Sequence, residues 1–190
     1  MSDQAVGPSV TLSRQQHEQG DAVEWFAIAD AANLSIDARV HELLGITGSL
    51  TRRLRELCGE AFRLQLLGER QRQQSRALVR EVIMFCGERP WVFAQTVIPQ
   101  TTLQANPWLS ELGNRPLGDT LFHRDNVKRG GLYLAELKPG DRLYERAVRD
   151  TGLGQRPASL LARQSLIHLD VSELSINEVF FPAAGRIAAA

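Results

Sequence analysis

Much of the chain after residue 60 alternates between apolar and polar residues, in the period of two that is typical of half-buried β-strands. The predicted strands are residues 62–66, 78–86, 91–98, 131–137, 165–170 and 174–181. The second and third form a hairpin with a four-residue turn at 87–90, and the last two form another around 171–173. Pro99 and Pro182 close strands because proline has no amide hydrogen for the ladder. The polar residues 68–76 are predicted to connect two strands.

The first part of the chain has a helical character. Apolar residues at irregular spacing over 25–44 predict one or two short helices, and another is predicted over 105–112. Ser49 can cap a helix that ends at Gly59, since serine favours the N-cap and glycine the C-terminal end. The solvent side of that helix is predicted to carry Thr51, Arg52, Arg53, Arg55 and Glu56. These elements predict an α+β fold, with a single antiparallel sheet of about six strands flanked by helices.

The composition is that of one globular domain. The 190 residues are 43% hydrophobic and 23% charged, which is sufficient for a sizeable core. Residues 1–22 are rich in Gln, Ser and Gly and are predicted to be a flexible arm. Residues 23–184 then form the domain and 185–190 a tail of small residues.

Charge and cysteine content narrow the functional classes. The chain has 22 basic and 22 acidic residues, so it lacks the basic excess that non-specific nucleic-acid binding requires. No run reaches the roughly 18 apolar residues of a membrane span. The first residues lack a signal-peptide pattern, and we expect a cytoplasmic protein. Cys58 and Cys86 are too few for a disulfide framework or a cysteine-rich metal site.

Two charged residues fall on apolar strand faces. Arg80 shares a face with Val82 and Met84, and Glu178 shares one with Ile176. An ionised side chain is costly in such a place unless it is paired or hydrogen-bonded. One interpretation is a buried ion pair between Arg80 and Glu178, or a face that is in fact solvated. The other is a pocket whose guanidinium and carboxylate contact a polar ligand.

Standard catalytic motifs are absent from the sequence. The four histidines have no metal-ligand spacing, and Gly152 and Gly154 lack the rest of a dinucleotide fingerprint. Neither a phosphate-binding loop nor a GxSxG elbow occurs. The inventory fits a cofactor-free enzyme or a ligand-binding module.

Several short motifs follow one another in a fixed order along the chain. They are Arg80-Glu81, Pro90-Trp91, Thr96-Val97-Ile98-Pro99, Pro116-Leu117-Gly118 and Asn177-Glu178-Val179-Phe180-Phe181-Pro182. Each is weak alone, but the ordered set resembles the chorismate pyruvate-lyase family. The similarity covers roughly residues 78–137 and 162–183, with a looser match over 48–67.

This resemblance implies a cytoplasmic lyase that converts chorismate to 4-hydroxybenzoate and pyruvate, the first step of bacterial ubiquinone synthesis. The family uses no metal or organic cofactor, and its antiparallel sheet flanked by helices agrees with the strand pattern above. The family's substrate-binding contacts map onto Arg80, Leu117 and Glu178, and a contact at the start of the early helix maps onto Leu50. The small molecules chorismate and 4-hydroxybenzoate are therefore the expected partners, without nucleic acid, and we expect a monomer.

The chemistry of chorismate suits these residue types. The substrate has one carboxylate on its ring and another on its enolpyruvyl ether. Arg80 is expected to bind the ring carboxylate, with help from backbone amides near Leu50 and Leu117. Glu178 is expected to contact the C4 hydroxyl, either orienting it or assisting proton removal, and the sequence leaves both roles open. Arg80 and Glu178 are thus the predicted catalytic residues.

The chain departs from the family pattern in several places. Gln95 stands where the family often has arginine, so the second substrate carboxylate needs another cation, with Arg129 and Arg163 as candidates. Gln95 is also predicted to share a face with Trp91, Phe93 and Val97. Residues 138–159 look like an inserted loop with one helical turn.

Three alternative functions stay open at this point. The effector-binding domains of some bacterial transcription regulators share a chorismate-lyase-like fold, so the chain could be a ligand sensor without catalysis. It could also be a lyase that forms a related hydroxybenzoate. A degenerate scaffold protein of the same pathway is the third alternative.

Overall fold

The computed structural model describes residues 23–28, 38–113, 115–121 and 123–185. The strands are β1 (Phe26–Ala27), β2 (Phe62–Arg72), β3 (Ala77–Cys86), β4 (Arg89–Pro99), β5 (Val127–Leu137), β6 (Leu160–Leu169) and β7 (Ser172–Phe180). The helices are α1 (Ala38–Leu44), α2 (Leu50–Cys58), α3 (Gln100–Ala105), α4 (Leu117–Leu121) and α5 (Arg142–Arg149). The strands form one antiparallel sheet in the order β1-β5-β6-β7-β4-β3-β2. The predicted α+β class is confirmed, and two-residue β1 is added to six long strands.

The two faces of the sheet are covered unequally. One face packs against α1 to α4 through two apolar clusters, one around Leu54 and Met84 and the other around Leu121 and Ile176. We call it the four-helix face. The opposite face packs against α5, whose Tyr144 is buried in a third cluster, and we call it the α5 face. Since side chains alternate along a strand, neighbouring residues contribute to different faces.

The first hairpin extends further than predicted. Residues 68–76 were expected to form a polar connection, but β2 continues to Arg72. A bulge between Leu66 and Gly68 shifts the pairing, after which Glu69 lies opposite Arg80. The polar side chains of β2 therefore pair with charged residues of β3, and a pattern of apolar alternation does not register such pairing.

The turn between β3 and β4 is shorter than predicted. Cys86 pairs directly with Arg89, so only two residues form the turn, and Gly87 adopts a left-handed φ of 57° there. A second bulge follows on β4, because Met84 pairs with Val92 and Phe85 with Pro90. The bulge moves Trp91 into a cluster of the four-helix face. The prediction for the face of Gln95 is therefore wrong for Trp91, whereas Phe93 does share the α5 face with Gln95.

The helices match the sequence where caps are strong. Ser49 caps α2 and Gly59 follows its last residue, as predicted. Elsewhere the boundaries differ from the prediction. The helix α3 ends at Ala105, where the predicted helix over 105–112 was to begin, and Pro107–Glu111 form a 3₁₀ turn instead. The loop at 138–159 contains the two-turn helix α5. None of the described helices is both long and apolar enough to cross a membrane.

Other predictions differ at the ends of elements or fall outside the described residues. The final hairpin turns at Asp170, which adopts a left-handed φ of 52°, and β7 already begins at Ser172. Part of the segment predicted to be helical over 25–44 is the short strand β1. The arm at 1–22 and most of the tail at 185–190 lie outside the described residues.

A disulfide joins Cys58 at the end of α2 to Cys86 at the end of β3. It spans a sequence separation of 28 residues. Cross-linking a loop of this length restricts the unfolded chain, so we expect reduction to lower the free energy of unfolding by about 2–4 kcal/mol. Urea denaturation with and without dithiothreitol measures the change. The double variant Cys58→Ser/Cys86→Ser is the control, and a reductant effect of equal size in it would contradict this interpretation.

Candidate active site

A small enclosed cavity lies on the four-helix face, between the two apolar clusters. Strands β2 to β5 and β7 provide its floor and walls, and the first residues of α2 and α4 cover it. Its lining residues are Leu50, Thr51, Leu64, Arg80, Val82, Met84, Ala94, Thr96, Pro116, Leu117, Gly118, Arg129, Ile176 and Glu178. All four residues predicted as substrate contacts are in this set, which brings together parts of the chain that are far apart in sequence.

The starts of α2 and α4 lie side by side over the cavity. The Ser49 hydroxyl accepts a hydrogen bond from the backbone N–H of Arg52 at 3.2 Å and donates one to Asp119 at 3.1 Å. Arg55 binds the same carboxylate at 2.9 Å. A Cβ at Gly118 would lie 3.1 Å from the Ser49 Oγ, so glycine permits this close approach. The pairing of the helices presents two N-terminal turns to one space.

Leu50, Thr51 and Leu117 provide the cover at these helix starts. All three are buried, and the Thr51 hydroxyl contacts the Met84 sulfur at 3.6 Å. Thr51 was predicted to face solvent, but only 7% of it is exposed. The prediction is wrong because the packing of α4 and β3 on α2 encloses the first turn of the helix.

Arg80 is almost completely buried, with 2% of its surface exposed. Its guanidinium donates to the Glu69 carboxylate at 2.5 Å and to the backbone carbonyl of Arg115 at 3.1 Å. Glu69 comes from the neighbouring strand and Arg115 from the segment before α4. These contacts hold the guanidinium rigidly at one side of the cavity, where its remaining donors can bind an anion.

Glu178 does not pair with Arg80. It accepts a hydrogen bond from Arg163, which lies directly opposite it on β6 and is fully buried. Arg163 also donates to the carbonyls of Leu43, Leu44 and Ile46 at 2.9–3.1 Å, at the end of α1. The interpretation as an Arg80–Glu178 ion pair is therefore wrong, since each charged residue has its own partner.

Arg129 lines the cavity from β5. It donates to the Ser165 hydroxyl at 2.5 Å and to the carbonyls of Thr47 and Gly48 at 2.9 and 3.2 Å. Burial lowers the pKa of Arg129 to about 10, partly opposed by the charge of Glu178 and reinforced by that of Arg163. A guanidinium that loses water in this way is stabilised further by an anion bound next to it.

Guanidiniums are prominent around the site. Among the described residues, the buried or half-buried guanidiniums of Arg80, Arg129 and Arg163 lie with the carboxylates of Glu69 and Glu178. In a cavity with little solvent, guanidiniums held in place in this way favour an anionic ligand. Within the described parts of the chain, no cluster of three or more His, Cys, Asp or Glu could hold a metal ion.

The structure gives different positions to Arg129 and Arg163, the two candidate cations for the second substrate carboxylate. Arg129 belongs to the lining, whereas Arg163 is outside it and binds Glu178 and the carbonyls at the end of α1, although its Nη2 is buried without a hydrogen-bond partner among the described residues. Sequence reasoning missed Glu69 and Thr51. The only available signal for Glu69 was a charged residue in a polar stretch next to the strand of Arg80.

Comparison with known proteins identifies the family of the chain. The family model described as chorismate lyase matches residues 21–187. The chain belongs to the chorismate lyase family. A protein named probable chorismate pyruvate-lyase from Shewanella sp. (strain W3-18-1) is 36% identical over 177 residues, covering 88% of this chain and 92% of the relative. Another of that name, from Nitrosomonas europaea, is 37% identical over 171 residues, covering 82% and 94%.

Solved structures of more distant proteins were also found. A transcriptional regulator of the GntR family from Bacillus cereus has a TM-score of 0.47 and 7% identity, covering 69% of this chain and 99% of that chain. The ligand-binding domain of a GntR-family regulator from Bordetella bronchiseptica has a TM-score of 0.41 and 11% identity, covering 64% and 83%. No functional inference rests on likenesses of this size.

Proposed function

We propose that this member of the chorismate lyase family converts chorismate to 4-hydroxybenzoate and pyruvate. The observation that carries the proposal is the enclosed cavity in which Glu178 on β7 lies between Arg80 on β3 and Arg129 on β5. Chorismate has one carboxylate at C1 of its ring, a hydroxyl at C4 at the opposite end, and a second carboxylate on the enolpyruvyl ether at C3. A cavity with two guanidiniums and one carboxylate offers a partner of suitable charge for each of these three groups.

In the proposed complex each charged side chain has one task. Arg80 binds the ring carboxylate, and Arg129 binds the carboxylate of the enolpyruvyl group. Arg163 holds the Glu178 Oε2 in place, and we assign the other oxygen, Oε1, to the C4 hydroxyl. Glu178 then orients the ring, while the backbone amides at the starts of α2 and α4 support the anionic groups.

The reaction is an elimination. The ether bond at C3 breaks, the hydrogen at C4 leaves as a proton, and the departing enolpyruvate takes up a proton to become pyruvate. The ring becomes aromatic, so the step is strongly downhill and requires neither an oxidant nor an organic cofactor. The enzyme's contribution is to hold the reactive conformer and to stabilise the charge that develops on the leaving group.

The proposal is tested by incubating the purified protein with chorismate in the presence of EDTA. We expect 4-hydroxybenzoate and pyruvate in equal amounts, measured by chromatography and a coupled pyruvate assay. Binding of chorismate without turnover would identify a ligand sensor instead. An isomeric hydroxybenzoate would identify a related lyase, and loss of turnover with EDTA would overturn the metal-free mechanism.

Arg129 distinguishes the substrate from the product, because 4-hydroxybenzoate lacks the enolpyruvyl carboxylate. We expect Arg129→Ala to weaken chorismate binding by about tenfold or more, the scale of one charged hydrogen bond. Binding of 4-hydroxybenzoate should change much less. Isothermal titration with the product and KM for the substrate measure the difference. Equal losses for both ligands would show that Arg129 does not bind the second carboxylate.

The cellular setting is also part of the proposal. We place the enzyme in the cytoplasm as a monomer, at the first step of ubiquinone synthesis. In that reducing compartment the pair Cys58–Cys86 would be held as thiols. Alkylation of intact cells followed by mass spectrometry tests this, and a disulfide trapped in the cells would contradict the assignment to the cytoplasm. Analytical ultracentrifugation tests the monomer.

A further inference from the structure

The cavity of the candidate active site is too small to admit an organic ligand unless its cover moves. Its volume is about 40 Å³, whereas sites for small organic molecules have roughly 300 Å³ or more. Leu50 and Leu117, at the starts of α2 and α4, are only 2% and 8% exposed. A ligand with a six-membered ring therefore enters only after the start of at least one of these helices has moved away from the sheet.

Helix α2 is held differently at its two ends. Over the cavity the contacts are noncovalent: Ser49 and Arg55 bind Asp119 at 3.1 and 2.9 Å. Arg129 binds the two carbonyls just before Ser49. The side chain of Arg55 is 47% exposed, and ion pairs so accessible to water contribute little to stability. The opposite end of α2 runs directly into β2, so it stays with the sheet when the first turn moves.

Residues 59–61 form a short turn between α2 and β2, and none of them is buried. Gly59 has a left-handed φ of 61°, and a Cβ there would meet no atom of the described residues within 4 Å. A turn with so few packing contacts can act as a hinge. Since α2 has nine residues, Leu50 lies about 12 Å from Cys58, and a tilt of about 20° moves it by about 4 Å.

The disulfide crosses this hinge. Cys58 is the last residue before the turn, and Cys86 pairs in the sheet with Phe62, the first residue after it. The backbone and the disulfide are therefore two covalent links between the end of α2 and the edge of the sheet. A helix held by one link can tilt about it, whereas a second link restricts the tilt. The disulfide thus acts on the motion that uncovers the cavity.

Both cysteines can be reached by small reagents, because each is partly exposed. When both are thiols, one thiolate attacks a low-molecular-weight disulfide such as glutathione disulfide and releases one glutathione. The other cysteine then attacks the mixed disulfide and releases the second glutathione. The two thiols lose two protons and two electrons in total, and glutathione disulfide is reduced to two glutathiones. The same exchange in reverse opens the bond.

We propose that Cys58 and Cys86 are a redox modification site that controls access to the candidate active site. As thiols they leave α2 free to tilt about residues 59–61 and to uncover the cavity. As a disulfide they hold the first turn of α2 over it. In a reducing compartment the thiol state predominates, and an oxidant slows the exchange of ligands. The proposal concerns entry into the cavity and does not depend on the reaction that takes place there.

The test measures access with a thiol placed inside the cavity. Ala94 lines the cavity from β4, and Ala94→Cys adds only one sulfur atom there. The substitution is made in the chain with the Cys58–Cys86 bond, verified by mass spectrometry, and in Cys58→Ser/Cys86→Ser, which cannot form the bond. We expect methyl methanethiosulfonate to label the thiol at least about tenfold faster in the second protein, because α2 opens more often.

A control is required because loss of the disulfide also favours global unfolding, which exposes every thiol. Ala162 is fully buried in the cluster of the α5 face, on the other side of the sheet. Ala162→Cys in the same two backgrounds therefore reports labelling through unfolding alone. We expect the acceleration for Ala94→Cys to exceed that for Ala162→Cys by about tenfold or more. An acceleration no larger than that of the control would overturn the proposal.

A second measurement uses a ligand and rests on the proposed function. Dissociation of 4-hydroxybenzoate, followed by stopped-flow fluorescence, should be at least about tenfold slower after treatment of the native chain with glutathione disulfide. The rate in Cys58→Ser/Cys86→Ser should not respond, and equal responses of the two proteins would contradict the assignment to this pair. Faster labelling of Ala94→Cys in a protein that does not bind 4-hydroxybenzoate would support the redox site and reject the proposed lyase. The two failures are therefore distinguishable.

Discussion

Replacement of Arg80 by alanine is expected to lower kcat/KM for chorismate by at least about tenfold, and by up to about a hundredfold. Arg80 is 2% exposed and its guanidinium is fixed by Glu69 and by the carbonyl of Arg115. The substrate therefore meets a cation that is already oriented, and little ordering remains to be done on binding. Alanine removes both the charge and its geometry.

Two further variants separate the charge from the geometry. Arg80→Lys keeps the charge but replaces a planar fork with a single ammonium, so we expect it to recover only part of the activity. Arg89→Ala removes an exposed arginine at the start of β4 and should leave kcat/KM unchanged. Urea denaturation of each variant reports the folded fraction at the assay temperature. Kinetics like those of the parent in folded Arg80→Ala would remove Arg80 from the substrate site.

Two of the charged residues of the site could be located from the sequence because of a simple geometric rule. Side chains two apart on a strand lie on one face, so a single charge within an apolar row can be recognised without knowing the fold. Arg80 and Glu178 were found in this way, and the structure places both in the lining of one cavity. The cap at Ser49 was predictable for a similarly local reason, since it depends on residues within one helical turn.

The partners of those charges could not be predicted in the same way. Arg80 contacts Glu69 only because a bulge between Leu66 and Gly68 shifts the register of β2. Glu178 contacts Arg163 because β6 and β7 pair in one particular register. A one-residue slip would turn either partner to the other face, and apolar periodicity does not determine register around bulges.

The α5 face shows the same limit. A polar row crosses it with one residue from each of four strands, and no single strand contains a pattern that reveals it. The members of the row are Glu81, Gln95, Asn177 and Gln164. Residues 138–159 were predicted to be an inserted loop with one helical turn, although Arg142, Arg146 and Arg149 have the spacing of a two-turn helix. Gln95 stands where the resemblance led us to expect an arginine. Gln95 lies on the α5 face, where it binds Glu81, and not in the cavity.

Replacement of Arg163 by leucine is expected to destabilise the protein by about 3–5 kcal/mol, because it leaves the Glu178 carboxylate buried without its cation. Arg163 is fully buried and also satisfies the carbonyls of Leu43, Leu44 and Ile46. Urea denaturation measures the loss. The exposed pair of Arg53 and Glu42 provides the matched control, and Arg53→Leu should change the free energy of unfolding little.

The double variant Arg163→Leu/Glu178→Leu identifies the source of the loss. It removes both charges and leaves apolar side chains of similar volume, so it should be more stable than Arg163→Leu alone, although not as stable as the parent. The carbonyls at the end of α1 remain without a donor in both variants, which accounts for the part that is not recovered. A double variant no more stable than the single one would mean that Arg163 acts mainly through those carbonyls. The loss of stability would then not come from an unpaired Glu178 carboxylate.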